Sequence, residues 1–459
     1  YRYLKDRVRN ENTYWHCENR STCNGRAVQR GSGAPVISTP HNHELNVERN
    51  ERKEFRTSLK RRIREEPASV RKLFRSELVK IQTASPDNVS TLPQFDTIKN
   101  SLYRTRNEKY PPLPKSIDDV KLEGSWRLTL NNEDFLVIDN SSPRYLCFGT
   151  TDSLKLLCDS EHIFMDGTFK SCPSPFAQVY SIHALSPILK GTIPALYTLL
   201  PDKNKSTYVS LFNEVRNVTV RNNLLLNPKY ITLDFERGAI NALKLVFPNS
   251  IIKGCNFHFN QCLFKKLQEL GFQKAFNEAQ DHDLTTVKSL YQRVAALAFM
   301  PLDKIDELWC NIMDDYSDIP NIVSFFDYIT ETWIDNSEAM FEKQLWNYYN
   351  FDGARTTNSV EGWHHRLNSQ VAVTNPNFYF FVKELRSDYA YNVATIKQVQ
   401  RQQTTAPRKK IYVNRNARIL DLMSRYNSDT LALHDYLIKI SKTIGKKNKN
   451  HDVDNNNLV

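Results

Sequence analysis

His162-Ile-Phe-Met-Asp166-Gly-Thr-Phe-Lys170 joins a short apolar run to an acid and then to a glycine. The run has the length and composition of a buried strand, and Gly167 lets the backbone turn directly after Asp166. Two more apolar runs follow, over 178–185 and 192–200, each bounded by Pro or Gly. Together the three predict a meander. Helical spacing of Tyr208, Leu211, Phe212 and Val215 predicts a helix over 206–220. Tyr230-Ile-Thr-Leu-Asp234 is a fourth strand that again ends in an acid, followed by a helix over 239–246 and a fifth strand over 250–255. The order βββαβαβ predicts an α/β fold with a mixed sheet flanked by helices.

Two acids at neighbouring strand ends repel each other unless a cation intervenes. Mg²⁺ or a similar ion suits such a site, because it takes oxygen ligands, keeps waters and bridges to phosphate. The residues alone leave plainer roles open. Asp166-Gly167 suits a turn, and Asp234 suits the cap of the next helix. A third acid, Glu361, lies in Thr356-Thr-Asn-Ser-Val-Glu-Gly-Trp-His-His-Arg-Leu-Asn368, where Val360, Trp363 and Leu367 form an apolar helical stripe. Asn358 or Ser359 is the expected cap, which places Glu361 near the helix start and beside the stripe. A glutamate there is equally a surface residue favoured by the helix dipole.

Near the beginning, Cys17 and Cys23 precede His41-Asn42-His43. Two paired Cys/His donors are a zinc ligand pattern, and His-x-His puts both imidazoles on one face of an extended strand. The alternative is a chance cluster of surface His and free thiols.

Five separated segments resemble, in order and context, the transposases of Mutator-like elements (MULE). They are Asp166-Gly-Thr-Phe-Lys170; Gly191-Thr-Ile-Pro194 with Tyr197 and Leu199-Leu-Pro201; Leu233-Asp234-Phe-Glu236; Gly254-Cys-Asn-Phe-His258-Phe; and Thr357-Asn-Ser-Val-Glu361-Gly-Trp-His364. The resemblance spans about 145–370. It implies an RNase H-like core interrupted by an all-helical insertion, with Asp166, Asp234 and Glu361 as an Asp-Asp-Glu triad. The triad would hold two Mg²⁺ or Mn²⁺ ions for DNA strand cleavage and strand transfer. Asp234 and Glu361 stand 127 positions apart, room for the insertion. Cys255-Asn-Phe-His258 matches the C-x-x-H signature that follows the second acid in such enzymes. By itself the pair fits two core residues or a direct metal role, and His258 is expected instead to orient DNA phosphate or a catalytic group. Glu236 is expected on the same face as Asp234 if the strand continues, and Arg237 near phosphate or solvating the helix start.

Tyr14-Trp15-His16-Cys17, Cys23 and His41-Asn42-His43 resemble the FLYWCH-type zinc finger, with Cys17, Cys23, His41 and His43 as Zn²⁺ ligands and Trp15 as core. That family's first strand would precede Tyr1.

The expected domains are the finger (1–46), a basic helical region closed by Pro111-Pro112-Leu113-Pro114 (47–120), the first part of the core (121–258) and the helical insertion (259–345). The last part of the core (346–400) and a basic C-terminal region (401–459) follow, with 444–459 disordered. Tyr1 suggests a chain that starts within a longer protein.

Charge follows the same division. Residues 1–120 carry 24 Lys+Arg against 15 Asp+Glu, residues 400–459 carry 12 against 5, and the centre carries 26 against 31. Basic flanks around an acidic centre fit arms that grip DNA and a core that holds cations; they equally fit solvated helices and a tail. No apolar run reaches the roughly 20 residues of a membrane span. The eight cysteines, several in apolar contexts such as Tyr145-Leu-Cys-Phe148, fit reduced thiols.

The expected partners are transposon-end and target DNA and further copies of the chain, in the nucleus, where Lys446-Lys447-Asn-Lys449 is a weak basic signal. Two other readings remain: a domesticated, catalytically silent zinc-finger DNA-binding regulator, and an interaction protein whose central domain is scaffold.

Overall fold

The computed structural model describes residues 1–459 except 67, 85, 109, 187, 190, 280–284, 336–337, 372, 403–409 and 445–459. The tail expected to be disordered from 445 onward, with its Lys446–Lys449 run, lies outside the described residues. Ile444 itself closes a helix. The chain divides into two compact units, Tyr1–Leu113 and Pro114–Val459, which meet within the proline-rich stretch.

The first unit opens with a four-stranded antiparallel sheet of β1 (Tyr3–Arg9), β2 (Asn12–Cys17), β3 (Arg26–Arg30) and β4 (Val36–Thr39), in that order. Asn10 and Glu11, both at positive φ (46° and 62°), make the two-residue turn whose twist suits a hairpin. This sheet has almost no apolar core. Its buried apolar residues are Cys17, Cys23 and Ala27, and Trp15, expected as core, is only half-buried. Three helices follow: α1 (Val47–Glu65), capped by Asn46, α2 (Val70–Ala84) and α3 (Phe95–Asn107). Phe55, Leu59 and Ile63 recur every four residues on α1 and pack against Val70, Leu73 and Phe74 of α2 and Ile98 and Leu102 of α3.

The second unit is built on a seven-stranded mixed sheet. Its strands are β5 (Leu136–Ser141), β6 (Arg144–Phe148), β7 (His162–Thr168), β8 (Gln178–Ser186), β9 (Gly191–Leu200), β10 (Tyr230–Leu233) and β11 (Ile251–Gly254). The order across the sheet is β11-β10-β7-β8-β9-β6-β5, with β10 parallel to both β7 and β11 and every other pair antiparallel. The five strands read from the sequence are present, while the β5–β6 hairpin extends the sheet beyond β9. The short strand β10 and the middle of β7 are buried throughout, as parallel strands covered on both faces must be.

Helices α4 (Thr151–Cys158), α5 (Lys205–Arg221), α6 (Arg237–Val246) and α7 (Asn256–Glu269) alternate with the strands. Between Gly254 and Asn358 every regular element among the described residues is helical. Helix α7 runs through the expected 258/259 boundary. Later helices used below are α8 (Asn358–Val371) and α9 (Phe378–Gln402). No described helix is long and apolar enough to cross a membrane. All eight cysteines are free.

Candidate functional site

Among the described residues, two groups of side chains bring metal-ligating atoms within 4.8 Å of one another: Cys17, Cys23, His41 and His43 in the first unit, and Cys255, His258 and Glu361 in the second. In the first, Cys17 ends β2, Cys23 lies in the following loop, and His41 and His43 follow β4. Cys17 Sγ is 3.3 Å from His43 Nε2, and Cys23 Sγ is 3.3 Å from His41 Nδ1. The far nitrogens are held in turn, His41 Nε2 by Tyr3 Oη at 2.9 Å and His43 Nδ1 by the Glu44 carbonyl at 2.8 Å. Both sulfurs accept backbone N–H groups, Cys17 from Asn19 at 3.4 Å and Cys23 from Gly25 at 3.3 Å. Such outside contacts orient metal ligands. Burial resists ionisation of Cys23, yet the N–H groups of Asn42 and Gly25 bring its thiol below the ordinary value. Two thiols and two imidazoles within 4.8 Å of one another fit a structural Zn²⁺, and the near-absence of an apolar core gives such an ion a folding role.

In the second unit, register explains the site. Tyr230 pairs with His162, Ile231 with Ile163 and Thr232 with Phe164. Carried two residues on, the same offset sets Asp234, just past β10, level with Asp166 on one face; β7 continues through Gly167 to Thr168, so the turn expected directly after Asp166 is absent. Leu233 pairs with Gly254, which brings Cys255 level with Asp234 one strand further out. Its N–H donates to the Leu233 carbonyl at 2.7 Å.

Asp166 is buried, and its Oδ1 accepts the N–H of Gly167 at 2.8 Å. Burial, then the neighbouring Asp234 charge, pushes its carboxyl up to about 8, with Glu361 adding to the rise. Asp234, half-buried, is pushed up to about 6 by burial and the Glu236 charge. Glu361, in the first turn of α8, is raised by burial. Its Oε1 lies 3.2 Å from Nε2 of His258, in the first turn of α7. Burial lowers the His258 imidazole, but Cys255, Asp166 and Glu361 more than reverse this and raise it to about 9. Asp166, raised by burial and by the charges of Asp234 and Glu361, occupies a position that a cation would stabilise.

Two expectations need correction. The strand does not continue past Leu233, so Glu236 sits at the start of α6 rather than beside Asp234 on a strand. There it accepts the Tyr208 hydroxyl and pairs with Lys203 at 3.3 Å. Arg237 is the exposed first residue of α6. The cap of α8 is neither Asn358 nor Ser359, both already inside the helix. The Thr357 carbonyl takes the first bonds, from the N–H groups of Val360 at 2.7 Å and Glu361 at 3.0 Å. The apolar stripe of Val360, Trp363 and Leu367 is buried as expected.

Two residues had no role assigned from sequence. His364 Nδ1 lies 3.6 Å from Asp166 Oδ2, and its Nε2 lies 3.4 Å from Ser181 Oγ. Burial and the His258 charge lower it to about 4, so it stays neutral beside Asp166. Its spacing of three from Glu361, which puts both on one helix face, was the available signal. Asp388 on α9 is buried and accepts from Tyr197 (3.0 Å), Trp363 (2.9 Å), Arg366 (2.9 Å) and Asn392 (2.9 Å). It thereby ties α8, with Glu361, to β9 and α9.

No curated protein matches the chain. The Cys–His cluster falls within a match to the FLYWCH zinc finger domain over 1–43, and Asp166, Asp234, Cys255 and His258 fall within a match to the MULE transposase domain over 162–262.

Proposed function

We propose that the chain is a MULE-type DNA transposase in which Asp166, Asp234 and Glu361 hold Mg²⁺ or Mn²⁺ for DNA strand cleavage and strand transfer. The observation that carries this reading is the level placement of Asp166 and Asp234 on parallel strands beside the charge of Glu361. The all-oxygen donor set fits a hard divalent ion. Strand order β11-β10-β7-β8-β9, with a meander first and two parallel strands after, supports an RNase H-like core. The helical stretch before Glu361 is then the insertion.

Ions bound there would activate the attacking oxygen and neutralise charge on the leaving one. The chain's own groups set the geometry. His364 lies 3.6 Å from the Asp166 carboxylate, and His258 stands 3.2 Å from Glu361, where it sets the direction of that carboxylate. Arg237, exposed at the start of α6, adds phosphate affinity. Water attack at a transposon end frees a 3′-hydroxyl, and that hydroxyl attacks target DNA in line; no protein nucleophile is required. The finger, whose four ligands would hold Zn²⁺, and the basic α1–α3 region would bind terminal-repeat DNA, and the chain would act as a homo-oligomer in the nucleus.

The test is Mn²⁺- or Mg²⁺-dependent cleavage of duplexes carrying the terminal inverted repeats that flank the gene. Cleavage by the parent and its loss in Asp166→Ala and Glu361→Ala is the expected result. Equal cleavage by parent and variants would remove the triad.

A further inference from the structure

Cys255, His258 and Glu361 bring their ligand atoms within 4.8 Å of one another, and they differ in kind from the carboxylate pair beside them. They supply one sulfur, one nitrogen and one oxygen. We infer that these three side chains form a second zinc-class site, distinct from the finger and sharing only Glu361 with the oxygen-lined pocket.

Three observations carry this. Glu361 Oε1 is 3.2 Å from His258 Nε2, yet it is buried and accepts no hydrogen bond. Two groups so close and so misaligned are placed as ligands turned toward a common third atom rather than toward each other. His258 Nδ1 is buried and without a hydrogen bond as well, so that nitrogen's bonding capacity is unused within the protein. Finally, Cys255 is fully buried, and its Sγ accepts the Thr357 N–H at 3.3 Å. The finger cysteines accept backbone N–H groups at 3.4 and 3.3 Å, the same dressing on sulfurs of a zinc-ligand set.

The donor chemistry selects the ion. Thiolate and imidazole favour Zn²⁺ or Co²⁺ over Mg²⁺, which takes oxygen alone. Three protein ligands leave one position of a tetrahedron open, as in zinc sites that take water or an anionic oxygen. Spacing supports the assembly. Cys255 at the start of α7 and His258 three residues on share one helix face, and Glu361 enters from the first turn of α8.

The decisive experiment is the zinc content of the purified full-length chain by elemental mass spectrometry, with Co²⁺ substitution read by its thiolate charge-transfer absorption. The parent is expected to hold two zinc ions. Cys17→Ser is expected to retain one, and Cys255→Ser to retain the other. A Co²⁺-loaded Cys17→Ser chain should keep a thiolate band that the added substitution His258→Ala weakens. If Cys255→Ser fails to fold, the Cys17→Ser chain decides alone: one zinc retained supports the site, none overturns it. A parent with a single zinc, lost in Cys17→Ser, likewise overturns it. The transposase reading is judged separately, because Mn²⁺-dependent cleavage by a one-zinc parent would sink this site and leave that reading standing.

Discussion

Trp363 donates its indole N–H to Asp388 Oδ2 at 2.9 Å, from a position two residues beyond Glu361 on the same helix. The same carboxylate receives Tyr197 from β9 and Arg366 from the next turn of α8. A buried charge with four donors locks the rotation of α8 against the sheet, and with it the direction in which Glu361 points.

Removing that charge should therefore cost far more than trimming one donor. Asp388→Ala leaves Tyr197 and Trp363 without this acceptor and Arg366 with Asn392 alone, and is expected to destabilise the chain by about 3–5 kcal/mol, the range for a broken buried pair. Trp363→Phe removes one N–H from an otherwise satisfied carboxylate and is expected to cost about 1–3 kcal/mol. Denaturant midpoints at unchanged slope measure both. An Asp388→Ala chain that unfolds at the parent's midpoint would show that the network does not fix the helix.

The finger has its own tight contact. A Cβ on Gly25 would stand 2.7 Å from His41 Nδ1, the nitrogen that faces Cys23. Gly25→Ala is expected to weaken the finger's hold on zinc by roughly 10- to 100-fold, the usual effect of disturbing the groups that orient metal ligands. Chelator competition reads the change, and an unaltered release curve would mean that His41 does not face the ion through Nδ1.

Stability should also depend on pH and on cations together. Asp166 and Asp234 bind protons more tightly folded (about 8 and about 6) than at their ordinary value of 3.8. The folded chain therefore holds more protons than the unfolded one between those values. The stability they contribute is complete below about pH 4 and is lost as pH rises through 6 and then 8. A divalent ion replaces the protons, so Mn²⁺ should raise the melting temperature more at pH 8 than at pH 5.5. Equal shifts at both pH values would place the cation elsewhere.

Much of the core was legible because its strands read as uninterrupted apolar runs, two of them leading into an acid, Asp166 and Asp234. The β5–β6 hairpin was not, because Asp139-Asn-Ser-Ser-Pro-Arg144 dominates its centre and reads as a loop, although the flanking residues pair with each other and with β9. Glu236 was misplaced because periodicity does not mark where β10 stops and α6 starts. The role of Asp388 was invisible for a different reason. A charged residue in a 25-residue helix reads as solvated until the tertiary fold brings Tyr197, some 190 residues away, onto it. Trp15 shows the converse, an aromatic expected inside a sheet too small to cover it.

The most direct test of the cation-holding pocket is Mn²⁺ binding to the zinc-loaded chain, followed by electron paramagnetic resonance. The parent should sequester Mn²⁺. Asp166→Asn and Asp234→Asn should lose that binding while keeping the parent's circular dichroism, and Cys17→Ser should retain it. Undiminished Mn²⁺ binding in the folded Asp166→Asn and Asp234→Asn chains would contradict the assignment of these two acids.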